Sequence, residues 1–156
     1  MRGGWGHDQG PFHYKGCGLD DVYLVSGYEI EETPYGRGVK ISNLDKLHTS
    51  IGLYLVRDHK LLKGREWRFL RHLMDITQSE LARLIGGNAQ QIARYEKDEC
   101  KIPGPADRMI RMLYEDHAGK AVDIRKFLDR LDGMDDIVPA RMVFAEANGE
   151  WRKTAA

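Results

Sequence analysis

Cysteine is nearly missing from this chain. Cys17 and Cys100 are the only two in 156 residues, and neither belongs to a Cys-x-x-Cys pair. That count excludes a disulfide framework and a cysteine-rich zinc ribbon, and it fits a reducing compartment. Long apolar runs are missing too. Nothing approaches the roughly 18 consecutive apolar residues of a membrane span, and the start lacks the charged-then-apolar pattern of a secretory leader. The expectation is a cytoplasmic protein with no membrane association. Net charge is also absent, with 24 Lys/Arg against 24 Asp/Glu. A bulk polyanion binder is therefore excluded.

The charge that is present is unevenly spread. Residues 57–115 hold 12 Lys/Arg against 9 Asp/Glu, a net of +3. Residues 1–56 give 5 against 7, and residues 116–156 give 7 against 8. The positive excess lies mid-chain, where phosphate contact would be sought.

Residues 1–11 are glycine-rich and aperiodic, and read as a flexible arm. Val22-Tyr23-Leu24-Val25 and the flank of Gly27-Tyr28-Glu29-Ile30 favour short strands, with Ser26-Gly27 as the turn between them. Residues 31–38 read as a loop, and Val39-Lys40-Ile41 as a third strand. A helix follows, capped by Ser42 or Asn43, with Leu44, Leu47, Ile51 and Leu55 on one face. The result is a small ββ(β)α unit over 12–57. His13, Cys17 and His48 lie in it, but structural zinc prefers paired, clustered ligands, so no metal is expected.

After a linker, residues 65–74 read as a helix with Trp67, Leu70, Leu73 and Met74 inward and Arg65, Arg68 and Arg71 elsewhere. The most informative stretch is residues 76–97, ITQSELARLIGGNAQQIARYEK. Thr77 and Glu80 have capping-box spacing, opening a helix with Leu81, Ala82, Leu84 and Ile85 inward. Ala82 is small enough for a second helix to cross closely. Gly86-Gly87 ends that helix and Asn88 caps the next. There Ile92 and Tyr95 pack inward, leaving Gln90, Gln91, Arg94 and Lys97 outward. Gln90 and Arg94, four apart, share one side. Glutamine can bond adenine N6/N7 and arginine guanine O6/N7, each pair discriminating by roughly 1–3 kcal/mol. Gln78 and Ser79, opening the first helix, present free N–H groups suited to a phosphate.

Past this stretch, Pro103 and Pro105 interrupt the helix and Pro105 suits a new first turn. Met109, Ile110, Met112 and Leu113 are read as the apolar face of that next helix. Val122, Ile124, Phe127, Leu128 and Leu131 form another amphipathic helix, capped near Asp123. Met142-Val143-Phe144, Asn148-Gly149 and Trp151 permit a strand or hairpin.

Residues from 65 to about 117 resemble the Cro/C1-type, or XRE-family, helix-turn-helix domain. The motif is Thr77-Gln78-Ser79-Glu80-Leu81-Ala82, then Leu84-Ile85-Gly86, then Ile92-Ala93-Arg94-Tyr95-Glu96-Lys97. The turn and Arg94-Tyr95-Glu96-Lys97 look most like the C-terminal domain of MqsA-type antitoxins. The resemblance implies five helices, a homodimer, and palindromic double-stranded DNA read by residues 88–97. It implies base reading by Gln90 and Arg94, phosphate contacts at Gln78 and Lys97, and a structural ion pair between Arg71 and Glu96. MqsA-type proteins hold zinc with four cysteines in their N-terminal domain. This chain has one cysteine there, so the zinc does not carry over.

The expected fold class is thus α+β and mainly α. A five-helix Cro/C1-type domain over 64–118 is preceded by the strand–helix unit and followed by an extra helix and a strand or hairpin over 120–151. The expected function is a DNA-binding transcriptional regulator, a repressor or autoregulator. The DNA-binding set is Gln78, Ser79, Asn88, Gln90, Gln91, Arg94 and Lys97. The alternative is an antitoxin-like module whose N-terminal unit binds a toxin protein. No nucleophile–base pair, phosphate loop or cofactor motif is visible, so neither an enzyme nor a cofactor is expected.

Overall fold

The computed structural model describes residues 10–136 and 139–154. Most of the expected arm, residues 1–9, lies outside them, as do residues 155–156. The chain divides into two compact units. One comprises residues 10–50 together with 139–154, the other residues 51–136. The division falls inside a helix, α1 (Leu44–Asp58).

The first unit is built on a four-stranded sheet. Its strands are β1 (Phe12–Tyr14), β2 (Val22–Leu24), β5 (Met142–Ala147) and β6 (Glu150–Lys153), in the order β1-β2-β5-β6. β1 and β2 are antiparallel, β2 and β5 parallel, and β5 and β6 antiparallel. The central strands carry the apolar runs that such a position demands: Val22, Leu24, Met142 and Phe144 are wholly buried. At the edge, β6 alternates, with Trp151 inward and Glu150, Arg152 and Lys153 exposed. Asn148 and Gly149 both take positive φ, 54° and 81°, as a tight hairpin turn requires. The start of α1 seats on this hairpin. Trp151 Nε1 donates to the Ser42 carbonyl at 2.8 Å, and Ser50 Oγ donates to the Trp151 carbonyl at 3.3 Å. A separate hairpin joins β3 (Tyr28–Thr33) to β4 (Gly36–Ile41).

This architecture corrects the expected fold class. The chain is α+β, 45% helical and 20% strand, rather than mainly α. Strands come first, and the described residues hold six helices and six strands in two sheets, not a five-helix Cro/C1-type domain with appendages. The C-terminal strands are no appendage, because Val22 pairs with Met142 and Leu24 with Phe144. A parallel pair this distant in sequence leaves no local spacing signal. Strand pairing inside the first fifty residues differs as well. β2 and β3 do not pair, so Ser26-Gly27 is not a hairpin turn. Ser26 Oγ instead donates to the Glu146 carbonyl and accepts from its N–H, at 2.9 and 2.8 Å. The stretch read as a loop, 31–38, mostly continues β3 and β4 around a turn at Pro34-Tyr35.

The second unit contains the end of α1, then α2 (Gly64–Leu73), α3 (Gln78–Ile85), α4 (Ala89–Glu96), α5 (Gly104–His117) and α6 (Ile124–Asp132). Its core draws on Ile51, Leu55, Trp67, Leu70, Leu81, Ile92, Ile110 and Tyr114. The inward face of α5 is not the methionine stripe. Asp107, Ile110, Arg111, Tyr114 and Glu115 are buried, while Met109 is exposed. These five recur at i, i+3, i+4, i+7 and i+8, which is a helix face whatever their polarity. Their charges are answered in place. The Arg111 guanidinium donates to Asp107 Oδ2 at 2.8 Å and to the carbonyls of Val56 and Lys60. Glu115 takes a two-bond contact from Arg57 at 2.6 and 2.9 Å. Among the described residues no helix is long and apolar enough to cross a membrane.

In the first unit the Tyr14 hydroxyl lies 2.7 Å from His48 Nε2. Burial, aided by Cys17, pushes the Tyr14 pKa up to about 12, so the phenol keeps its proton and donates. Burial lowers the His48 pKa, against a smaller opposing effect of Asp45. The unfolded chain therefore binds a proton at this site before the folded one does, and stability falls as pH drops below about 6.5. Urea midpoints measured between pH 8 and pH 5 should fall in that window. His48→Gln should flatten the fall, leaving the share of His72, whose pKa burial and then Arg71 and Arg68 also lower. An unchanged pH slope in His48→Gln would refute this role.

Candidate nucleic-acid interface

α3 and α4 are short, eight residues each, and each is defined by its caps. Thr77 Oγ1 accepts from Glu80 N–H at 3.0 Å, and Glu80 Oε1 accepts from Thr77 N–H at 2.9 Å. The amide of Thr77, and after it the hydroxyl, holds the Glu80 carboxyl below its usual range. Gly86 closes α3 at φ 83°, the left-handed region where a side chain is strained. Asn88 Oδ1 then accepts from Gln91 N–H at 2.9 Å to open α4. Leu81 and Ala82 of α3 and Ile92 and Tyr95 of α4 are buried. Leu84, expected inward, is 51% exposed. In a two-turn helix the outer edge of the apolar face lies beyond reach of the core.

α2 is clamped to the end of α4. A β-carbon on Gly64 would lie 2.3 Å from the Tyr95 carbonyl oxygen, so only glycine fits this approach. Asp98 Oδ1 accepts from Gly64 N–H at 2.9 Å. The Trp67 and Tyr95 rings meet edge to face at 5.4 Å.

Beside this clamp, Arg71 and Glu96 form a two-bond ion pair. Arg71 Nε to Glu96 Oε2 is 2.7 Å and Arg71 Nη2 to Oε1 is 3.0 Å. Arg71 Nη1 also donates to the Ile76 carbonyl at 3.0 Å. Gln78 Nε2 completes the set by donating to Glu96 Oε1 at 3.1 Å. Arg71 thus lies inside the helix cluster, not with Arg65 and Arg68 on the outer face.

The remaining sequence-derived residues lie at or near the surface. Ser79, Asn88, Gln90, Arg94 and Lys97 are exposed, and Gln91 is half-buried. Gln90, Arg94 and Lys97 follow i, i+4, i+7 along the α4 side and its C-terminal cap. Neither Arg94 nor Lys97 has an ion pair among the described residues, so both are available to a ligand. Gln78 and Asn88 differ from them in having side-chain hydrogen bonds within the protein. The Gln78 amide is held by Glu96, and the Asn88 oxygen caps α4.

No family model, curated protein or solved structure matches the chain. The chemistry of the surface must therefore be read from its residues alone.

Sequence reasoning passed over Arg68, Arg83 and Lys101, which are exposed and unpaired among the described residues. Their signal was the positive excess of residues 57–115, which names a region but no side chain. The scattered candidates of the first unit form no metal cluster. His13 Nε2 bonds the Asp20 carbonyl, His48 meets Tyr14, and Cys17 stands as a free thiol. Among the described residues no group of three or more His, Cys, Asp or Glu could hold a metal ion.

The ion pair yields a test. Glu96→Leu leaves the Arg71 charge buried and unanswered, and should cost about 3–5 kcal/mol. Adding Arg71→Leu should recover most of that, since two apolar side chains leave no stranded charge. Urea unfolding of the single and double variants measures both. A cost below about 1 kcal/mol for Glu96→Leu would show the pair to be inert, as exposed pairs are.

Proposed function

We propose that this protein is a sequence-specific binder of double-stranded DNA that regulates transcription in the cytoplasm, as a repressor or autoregulator. α4 is the reading element. The observation that carries this is the row Gln90, Arg94 and Lys97, exposed and without ion pairs on a helix whose other side is fixed by caps, clamp and ion pair. A helix of about 10–12 Å diameter fits the major groove, and rigid placement lets two side chains meet base edges in register. Gln90 and Arg94 are the base readers. Lys97 grips a phosphate, and Ser79 with the first N–H groups of α3 grips another. The motif of residues 77–97, similar to that of Cro/C1-type regulators, supports the same assignment. The protein acts as a homodimer on a palindrome whose half-sites are about one helical turn, roughly 34 Å, apart.

Selection of bound sequences from random DNA should return such a palindrome. Arg94→Ala and Gln90→Ala should each relax preference at one position per half-site, by roughly 1–3 kcal/mol of discrimination. Lys97→Ala should weaken all sequences alike and lower the salt slope of binding by about one. An Arg94→Ala protein with unchanged affinity and preference would overturn this docking.

A further inference from the structure

We propose that Asp98 is a positioning residue for base reading: from the end of α4 its carboxylate caps α2, and this tie holds the last turn of the reading helix in place. The inference rests on the preceding reading of α4 and adds to it a residue that need not touch DNA.

Asp98 stands where glycine is the ordinary choice. α4 closes in a Schellman motif: the Glu99 N–H donates to the Arg94 carbonyl at 3.0 Å and the Asp98 N–H to the Tyr95 carbonyl at 3.1 Å. That motif sets Asp98 in the left-handed region, at φ 57°. α3 ends in the same way with Gly86 at the equivalent position, and there the Gly87 N–H donates to the Ala82 carbonyl at 2.8 Å. An L side chain is strained in this conformation and glycine is not. The turn alone therefore does not call for an aspartate.

The start of α2 does. The first N–H groups of a helix have no intrahelical acceptor. Lys63, which precedes α2, makes no side-chain cap bond, since an ammonium cannot accept one. Gly64 is buried, so its N–H needs a partner inside the protein. Asp98 Oδ1 accepts it at 2.9 Å, from 34 residues along the chain. A negative charge is also favoured at this end of a helix.

Two polar ties thus join the end of α4 to α2, and they lie well apart. Arg71 holds Glu96 near the end of α2, and Gly64 holds Asp98 at its start. Seven residues separate Gly64 from Arg71, about 10 Å along the helix. One tie alone leaves α4 able to pivot about it, whereas two at this spacing do not. Both proposed cations of the interface belong to the segment so held. The Arg94 carbonyl accepts from Glu99, and Lys97 lies between Glu96 and Asp98 in the chain.

Glycine and asparagine separate the turn from the tie. Asp98→Gly keeps the left-handed turn and removes the carboxylate. Asp98→Asn keeps an acceptor oxygen and tolerates the same φ, losing only the charge. The charge acts on every duplex alike, so it cancels in a ratio of two affinities.

Fluorescence anisotropy of the full chain and both variants tests this, with two probes: the palindrome returned by selection and a random-sequence duplex of the same length. Asp98→Gly should lower the ratio of the two affinities about tenfold, as loosening one base contact does. Asp98→Asn should stay within about twofold of the parent ratio, because the acceptor is kept. Amide hydrogen exchange without DNA reads the tie itself. The Gly64 amide should lose protection in Asp98→Gly and keep it in Asp98→Asn. Circular dichroism melts confirm that all three proteins are folded. An unchanged ratio in Asp98→Gly, an equal loss in Asp98→Asn, or unchanged Gly64 exchange in Asp98→Gly would each overturn the proposal. A parent that prefers no sequence would overturn the base reading and this inference together, and shows itself before any substitution is made.

Discussion

A guanidinium cannot be withdrawn from water unless something answers each of its N–H groups. Arg71, with its side chain only 10% exposed, meets most of that demand by drawing two segments to itself. The Glu96 carboxylate at the end of α4 takes two bonds, and the Ile76 carbonyl before α3 takes a third. Gln78, on the first turn of α3, then uses the remaining capacity of Glu96. The orientation of α4 against α2 and α3 thus depends on a charge that would be costly to strand. Apolar packing of Leu81, Ala82, Ile92 and Tyr95 supplies attraction but little directional constraint. The ion pair supplies direction.

The same logic governs the buried charges of α5. Arg111 is wholly buried, and burial lowers its pKa, yet arginine remains charged there. It therefore collects Asp107 and the backbone carbonyls of Val56, in the last turn of α1, and Lys60, just past it, fixing α5 to the segment before α2. A hydrophobic-periodicity reading assigns the inward face of α5 to Met109, Ile110, Met112 and Leu113, of which only Ile110 is buried, because it counts polar residues as outward. The actual face carries Asp107, Arg111 and Glu115. They are tolerated inside because each has its partner, and a sequence does not display partners 50 residues away.

This marks where legibility ends. Caps are written in four or five consecutive residues, and Thr77 with Glu80, Gly86, and Asn88 can be read directly. So can the stripe Leu47, Ile51 and Leu55 of α1, all wholly buried, although Leu44, read on the same face, is 40% exposed at the helix start. The sheet cannot be read in this way. β2 meets β5 in parallel across most of the chain, and Ser26 completes the edge of β5 with its side chain rather than a hairpin. A run such as Val22-Tyr23-Leu24 announces a strand but not its neighbour. On the candidate interface, exposure of Gln90 and Arg94 follows from the inward spacing of Ile92 and Tyr95. Joining Arg71 to Glu96 on sequence rests on the resemblance, since no periodicity links residues 25 apart.

Gln78 shows how the structure redistributes tasks that composition cannot separate. One N–H of its amide donates to Glu96, which orients the side chain and leaves only the second N–H open to a ligand. Any anion contact at the start of α3 is then shared among that N–H, the backbone N–H groups and the Ser79 hydroxyl. Those backbone donors exist because Thr77 satisfies the Glu80 amide and leaves the preceding amides of the first turn without an intrahelical acceptor. The cap aims the first turn and Glu96 orients the glutamine. Arg94 and Lys97, tied to neither, are exposed and without an ion pair among the described residues. A fixed frame that withholds its own polar groups and presents a few untethered ones is the arrangement that base reading requires, because a reader must be placed by something other than the ligand it reads.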